Sequence, residues 1–288
     1  MTTAGIYDAT PCALGEGPLW HPERAGLYWF DILRFRLHTR QGAETRQWQF
    51  DEHVSAAGWI DRDQLLVVSE TGFFTFDLEA GTRTDLVPLE ADRTDTRSND
   101  GRADPWGGFW VGTMSKTAAP EQGAIYRFYK GEVRLLYPDV SIPNAIAFAP
   151  DGKTATFGDT ARKTVWRVAL SDPDGWPVGE PQTFLDQRET GLNPDGAVFD
   201  AAGNFWCAEW GASRVACYGS DGQFQSAVAI GASHSSCPAF GGPDMSTIYC
   251  TTARQGLSAE TLADGRAHGA TYVASTDTRG QAEHRVIL

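Results

Sequence analysis

The sequence predicts an all-β fold, a six-bladed β-propeller with a central metal-binding channel, and three observations carry that prediction. A unit of turn, short apolar strand, small-residue loop and second strand recurs along the chain. Its copies begin roughly 40–50 residues apart, the period of a propeller blade. Gly (31) and Trp (10) are both abundant, and no heptad or long helical period competes with the strand pattern. A β-sandwich also has short strands and many turns, but it needs no repeated blade unit.

Taken in order, Gly26-Leu27-Tyr28-Trp29-Phe30-Asp31 runs on to Phe35-Arg36-Leu37-His38. Asp61-Arg62-Asp63 opens Gln64-Leu65-Leu66-Val67-Val68, followed by Gly72-Phe73-Phe74-Thr75-Phe76. Asp104 leads through Phe109-Trp110-Val111 to Gly123-Ala124-Ile125-Tyr126. Asp151-Gly152 precedes Thr154-Ala155-Thr156-Phe157 and then Thr164-Val165-Trp166-Arg167-Val168. Asp200 precedes Phe205-Trp206, then Arg214-Val215-Ala216-Cys217-Tyr218; Asp244 precedes Thr247-Ile248-Tyr249-Cys250, then Thr271-Tyr272-Val273. Each copy couples an Asp, Pro or Gly turn to β-branched and aromatic residues, the local signature of a strand after a turn. One domain over residues 1–288 is the economical organisation. Segments 4–13 and 283–288 are expected to help close the ring, and 84–96 and 172–180 to be longer connections.

Composition narrows the function. A net charge of −13 would repel a phosphate backbone, which argues against nucleic acid as a partner. No apolar run approaches the roughly 18 residues of a membrane span, and no signal peptide is visible at the start, so the cytoplasm is the expected compartment. Five cysteines without a Cys-x-x-Cys pair read as small buried hydrophobes rather than a disulfide or zinc framework. The oligomeric state is not legible.

Residues 97–114 concentrate polar and structural signals. Arg97 and Asn99 precede a buried strand, where they can be aimed into a pocket. Asp100-Gly101 reads as a turn, and Asp104-Pro105-Trp106-Gly107 as a second one. Three other segments place one oxygen-bearing side chain beside Gly or Pro before an apolar strand: Glu16 in Gly15-Glu16-Gly17-Pro18, Asn144 in Ile142-Pro143-Asn144, and Asp195 in Pro194-Asp195-Gly196. Blades radiate from a channel, so these groups converge there. Two carboxylates and an amide carbonyl suit one divalent cation, Ca²⁺, Mg²⁺, Mn²⁺ or Zn²⁺.

These segments, together with Gly112-Thr113-Met114 and Phe240-Gly241-Gly242 followed by Thr251-Thr252-Ala253-Arg254, resemble the regucalcin (SMP-30)/gluconolactonase family, in order and over nearly the whole chain. The resemblance implies a six-bladed propeller with one divalent metal held by Glu16, Asn144 and Asp195. It implies that Arg97 and Asn99 hydrogen-bond a sugar lactone, and that the activity is opening of an aldonolactone to the aldonic acid. Some relatives carry acidic residues in the loop after Gly-Thr-Met; here its only carboxylate is Glu121. Ala145 stands where Gly is frequent.

Chemistry gives roles to these groups. A cation would act as Lewis acid towards the lactone carbonyl, with Asp195 as the base for the attacking water and Glu16 as second choice. Lys116 is a candidate cation at the channel mouth, and His53 and His234 are candidate substrate contacts. No Gly-x-Ser-x-Gly elbow, His-Glu-x-x-His motif or Walker loop occurs. The alternatives are another metal-dependent esterase or phosphotriesterase, and a non-enzymatic metal- or sugar-binding propeller.

Overall fold

The computed structural model describes residues 2–288, which form six antiparallel sheets, as expected of the propeller. Their innermost strands are Gly15–His21, Val54–Trp59, Thr96–Ala103, Pro143–Phe148, Pro194–Phe199 and His234–Gly241. Each touches the next in sequence, and the sixth touches the first, so the ring is closed. Trp and Phe side chains fill the wedges between blades. Phe73 of the second blade stacks on Phe128 of the third at 5.1 Å, and Trp110 of the third meets Phe148 of the fourth edge-on at 5.5 Å. Burying one such ring contributes about 1.5–3 kcal/mol.

All six inner strands break register near their channel end. The shifts fall between Glu16 and Leu19, Val54 and Ala56, Ser98 and Gly101, Asn144 and Ala147, Pro194 and Ala197, and Ser235 and Pro238. A bulge rotates the side chains that follow it, so the ring of six bulges aims a ring of polar groups at the axis. Asp100-Gly101 therefore forms no turn; it lies inside Thr96–Ala103 as part of the third bulge. Asp104-Pro105-Trp106-Gly107 is a turn, with Gly107 at φ 86° and its N–H donating to the Asp104 carbonyl.

The recurrent Asp has a common job at the far end of the inner strands. Asp61 Oδ1 accepts from the N–H groups of Asp63 and Gln64, Asp104 Oδ1 from Trp106 and Gly108, Asp151 Oδ1 from Lys153, and Asp200 Oδ1 from Ala202 and Asn204. These are Asx-type turns that satisfy backbone donors between first and second strands. In the first blade His21 replaces the Asp. Its Nδ1 accepts from Arg24 N (3.3 Å), and its Nε2 lies 3.0 Å from the Asp61 carbonyl. Burial, with the Arg24 and Arg62 charges adding, pushes the His21 imidazole down to about 4 against the pull of the Asp61 carbonyl. The unfolded chain then binds more protons than the folded one below about pH 6.5, so stability falls as pH falls towards 4. Against a His21→Asn variant, urea denaturation at pH 7 and pH 4 is expected to show the parent losing on the order of 2 kcal/mol more.

Closure uses the N-terminal segment. Gly5–Asp8 pairs antiparallel with Thr271–Ser275 as the outer strand of the sixth blade, and Thr2–Thr3 adds a parallel fifth strand to the fifth. The C-terminal segment does not close the ring as expected. It runs over the face opposite the bulges: Gly280 N donates to Met245 O, Gln281 Nε2 to Phe148 O, Val286 N to Trp59 O and Ile287 N to Gly107 O. Arg102 pairs with Glu283 there, sealing that end. Segment 84–96 is only partly a connection, because Thr82–Pro88 is the outer strand of the second blade; its polar composition reflects an exposed edge. Likewise Pro177–Asp186 takes up the end of segment 172–180. The five cysteines are free and buried. No helix among the described residues is long and apolar enough to cross a membrane.

Candidate active site in the propeller channel

A cavity of about 540 Å³ opens at the bulged end of the channel, within the range of small-ligand sites. Glu16, Arg97, Asn99, Asn144 and Asp195 all line it, each at most 6% exposed. Their strands begin where a neighbouring carboxylate holds the chain. Asp31 accepts from the N–H groups of Ala13 and Leu14 just before Glu16, and Asp159 accepts from Ser141 and Ile142 just before Asn144.

Hydrogen bonding orients the Asn144 amide. Thr160 Oγ1 donates to the Pro194 carbonyl (2.7 Å), so towards Asn144 it can only accept, and Asn144 Nδ2 donates to it at 2.7 Å. The carbonyl Oδ1 must then face the channel, where Asn99 Nδ2 donates to it at 3.0 Å. Asn99 is a bridge: its Nδ2 also donates to Pro143 O, and its Oδ1 accepts from Arg97 Nη1 at 2.8 Å. Arg97 makes its hydrogen bonds through Nη1 alone, to Ser98 O and Asn99 Oδ1, and forms no ion pair within 4 Å among the described residues. Burial pulls its guanidinium down to about 10, with Glu16, Glu70 and Asp195 opposing, so it remains charged at neutral pH.

The acids are crowded. Burial, then the Asp100 charge, pushes the Glu16 carboxyl well above its ordinary range. Burial, then Glu16 and Asp100, does the same to Asp195. Asp100 itself, 3% exposed, is raised to about 6 by burial, against hydrogen bonds from Ile146 N and Gly101 N. Carboxylates gathered out of water resist ionising together, and a divalent cation would supply the missing charge. Among the described residues no three His, Cys, Asp or Glu side chains form a metal cluster by themselves. Two carboxylates and one oriented amide oxygen line the cavity instead, all-oxygen chemistry that would fit a hard divalent ion.

A family model described as the SMP-30/gluconolactonase/LRE-like region matches residues 14–254. The chain belongs to this family. Among its relatives are the 6-deoxy-6-sulfogluconolactonase of Pseudomonas putida, 34% identical over 95% of this chain and 94% of that one, and the L-arabinolactonase of Azospirillum brasilense, 35% identical over 98% and 95%. The crystal structure of a calcium-binding protein, regucalcin, from Agrobacterium tumefaciens superimposes with a TM-score of 0.97 at 36% identity, covering 100% of this chain and 98% of that one.

Not every residue singled out in this SMP-30/gluconolactonase chain reaches the cavity. His234 lines it. Lys116 and His53 both turn to Glu70 instead, Lys116 Nζ at 2.6 Å and His53 Nδ1 at 2.7 Å, and neither is among the lining residues. Glu121 is on the surface, paired with Arg162 at 2.7 Å. Sequence reasoning passed over Asp100, whose Asp-Gly context looked like a turn, and Trp210, Thr160 and Lys163, whose lining positions depend on the ring.

Ala145, where the family often has Gly, sits at φ +55° in the bulge just after Asn144, as Gly17 sits at +53° just after Glu16. An L side chain in that region costs roughly 1–2 kcal/mol, partly offset by the freedom Gly gains in the unfolded chain. Ala145→Gly is expected to stabilise the protein by up to about 1 kcal/mol, read as a rise in denaturation midpoint at unchanged m-value.

Proposed function

We propose that the protein is a divalent-metal-dependent sugar lactonase that opens an aldonolactone to its aldonic acid in sugar oxidation, acting as one domain over residues 1–288 in the cytoplasm. The observation that carries this reading is the convergence of Glu16, Asp195 and the oriented Asn144 oxygen on one cavity, together with a buried guanidinium with free donors. Glu16, Asn144 and Asp195 would hold the cation, calcium, zinc, manganese or magnesium. When bound it would polarise the lactone carbonyl and favour the tetrahedral oxyanion.

The chain's own groups do the rest. Arg97 donates from its unengaged N–H groups to substrate oxygens. Asn99 keeps Arg97 and Asn144 in register; its two Nδ2 protons go to Pro143 O and Asn144 Oδ1, and the second lone pair of its Oδ1 can accept from a substrate hydroxyl. Asp195, or Glu16 in second place, takes a proton from the attacking water. The hydroxyl adds to the carbonyl carbon, the ring C–O bond breaks, and the proton returns to the leaving ring oxygen, so one water is consumed. The test is a panel of aldonolactones and a phosphotriester, assayed after chelation and after re-addition of single metals, with spontaneous opening subtracted. Chelation is expected to abolish lactone opening and one ion to restore it. An undiminished rate in the stripped protein, or a phosphotriester faster than every lactone, would overturn the reading.

A further inference from the structure

The cavity has an aromatic wall that the mechanism leaves unused. Trp210 follows the second strand of the fifth blade, Phe205–Glu209, and His234 opens the inner strand of the sixth. In a ring of six, that sixth blade stands opposite the third, which carries Arg97. The two rings are stacked, with centroids 4.1 Å apart and planes 20° from parallel. Their backbones are bridged, and Trp210 is further fixed by Asn193, whose carbonyl accepts from Trp210 N and whose Nδ2 donates to Trp210 O.

His234 Nδ1 lies 3.0 Å from the Gln255 carbonyl, which can only accept, so Nδ1 carries the proton. Burial, with His268 adding, holds the imidazole below its ordinary value, against the pull of the Gln255 carbonyl. At neutral pH, Nε2 is therefore a bare lone pair. Trp210 Nε1 is a donor only. Among the described residues neither atom has a hydrogen-bond partner, and neither is sealed from solvent. A donor and an acceptor on stacked rings that line one cavity match the hydroxyls of a polyol, each of which can both accept and donate. A sulfonate, phosphate or carboxylate has no proton for Nε2.

We propose that the Trp210–His234 pair is the subsite for the hydroxyl-bearing end of a neutral sugar lactone, Trp210 Nε1 donating and His234 Nε2 accepting. The inference rests on the lactonase reading and names its substrate class: uncharged polyhydroxy lactones. Lys163, which also lines the cavity, has its ammonium donating to Gly191 O at 2.8 Å.

The experiment compares D-glucono-1,5-lactone with δ-valerolactone, which lacks hydroxyls, in the metal-loaded parent and in Trp210→Phe, His234→Phe and His234→Gln. The two Phe variants are expected to raise KM for gluconolactone about 3- to 10-fold, the worth of one neutral hydrogen bond. kcat should stay within about two-fold. δ-Valerolactone kinetics should not change, and His234→Gln, which keeps an acceptor, should recover most of the parent KM. Calorimetric binding of gluconate, which needs no turnover, should weaken by the same factor. If the parent opens neither lactone but binds gluconate through the pair, the lactonase reading fails and the subsite stands. Equal losses on both lactones, an unchanged KM and gluconate affinity, a parent that binds no gluconate, or a preference for 6-phosphogluconolactone would each overturn the proposal.

Discussion

Asp195→Ala is expected to lower kcat/KM for lactone opening by roughly three orders of magnitude or more, because one substitution removes both a cation ligand and the proposed base. The fold should survive. Asp195 is 4% exposed and shares its surroundings with the Glu16 and Asp100 carboxyls, so removing it relieves crowding rather than breaking a pair. In the presence of a chelator the variant should therefore melt no lower than the parent, while its affinity for the activating ion collapses. Arg97→Ala provides the contrast. Its guanidinium touches no carboxylate within ion-pair distance among the described residues, so substrate binding and turnover should weaken while metal affinity stays nearly unchanged. Titrating the ion by calorimetry in both variants separates the two roles. Full activity in a metal-stripped Asn144→Ala/Asp195→Ala protein would defeat the assignment.

The largest stability effect is expected at Asp104. Its Oδ1 holds the turn through Trp106 and Gly108, and its Oδ2 pairs with Arg127 Nε at 2.7 Å, both side chains being essentially inaccessible. Arg127 has no hydrogen bond to Nη1 or Nη2; instead its guanidinium lies 4.2 Å from the Tyr129 ring and 4.5 Å from Trp176. Asp104→Ala strands that charge and opens the turn. Breaking one side of a buried pair costs about 3–5 kcal/mol, which corresponds to a fall in Tm of roughly 5–8 °C for a chain of this size. Asp104→Ala/Arg127→Met should recover much of the pair's share but not the turn's. A single-variant loss below about 1 kcal/mol, the range of an exposed pair, would contradict this account.

What the sequence discloses is what is decided locally. The Asp turns could be read because the carboxylate and the N–H groups it caps lie within four residues, as in Asp104 with Trp106 and Gly108. Glu16, Asn144 and Asp195 could be read because each stands next to Gly or Pro at the head of an apolar strand. Asp100-Gly101 could not, because its conformation is set from the next blade, where Ile146 N donates to Asp100 Oδ2. Trp210 and His234 become neighbours only once the fifth and sixth blades pack together. Glu121 shows the reverse error: its place in a suggestive loop says nothing of where its side chain points, which is to Arg162.

The strand that completes the ring has a consequence for how the chain is made. Gly5–Asp8 leaves the ribosome roughly 260 residues ahead of its partner Thr271–Ser275. At roughly 5–20 residues per second, the early strand waits on the order of tens of seconds with its edge unpaired. During that interval the nascent ring is open, and five blades can fold while the sixth consists of its outer strand alone. An antibody or crosslinker that captures residues 5–8 should therefore distinguish chains stalled before residue 271 from chains that have passed it.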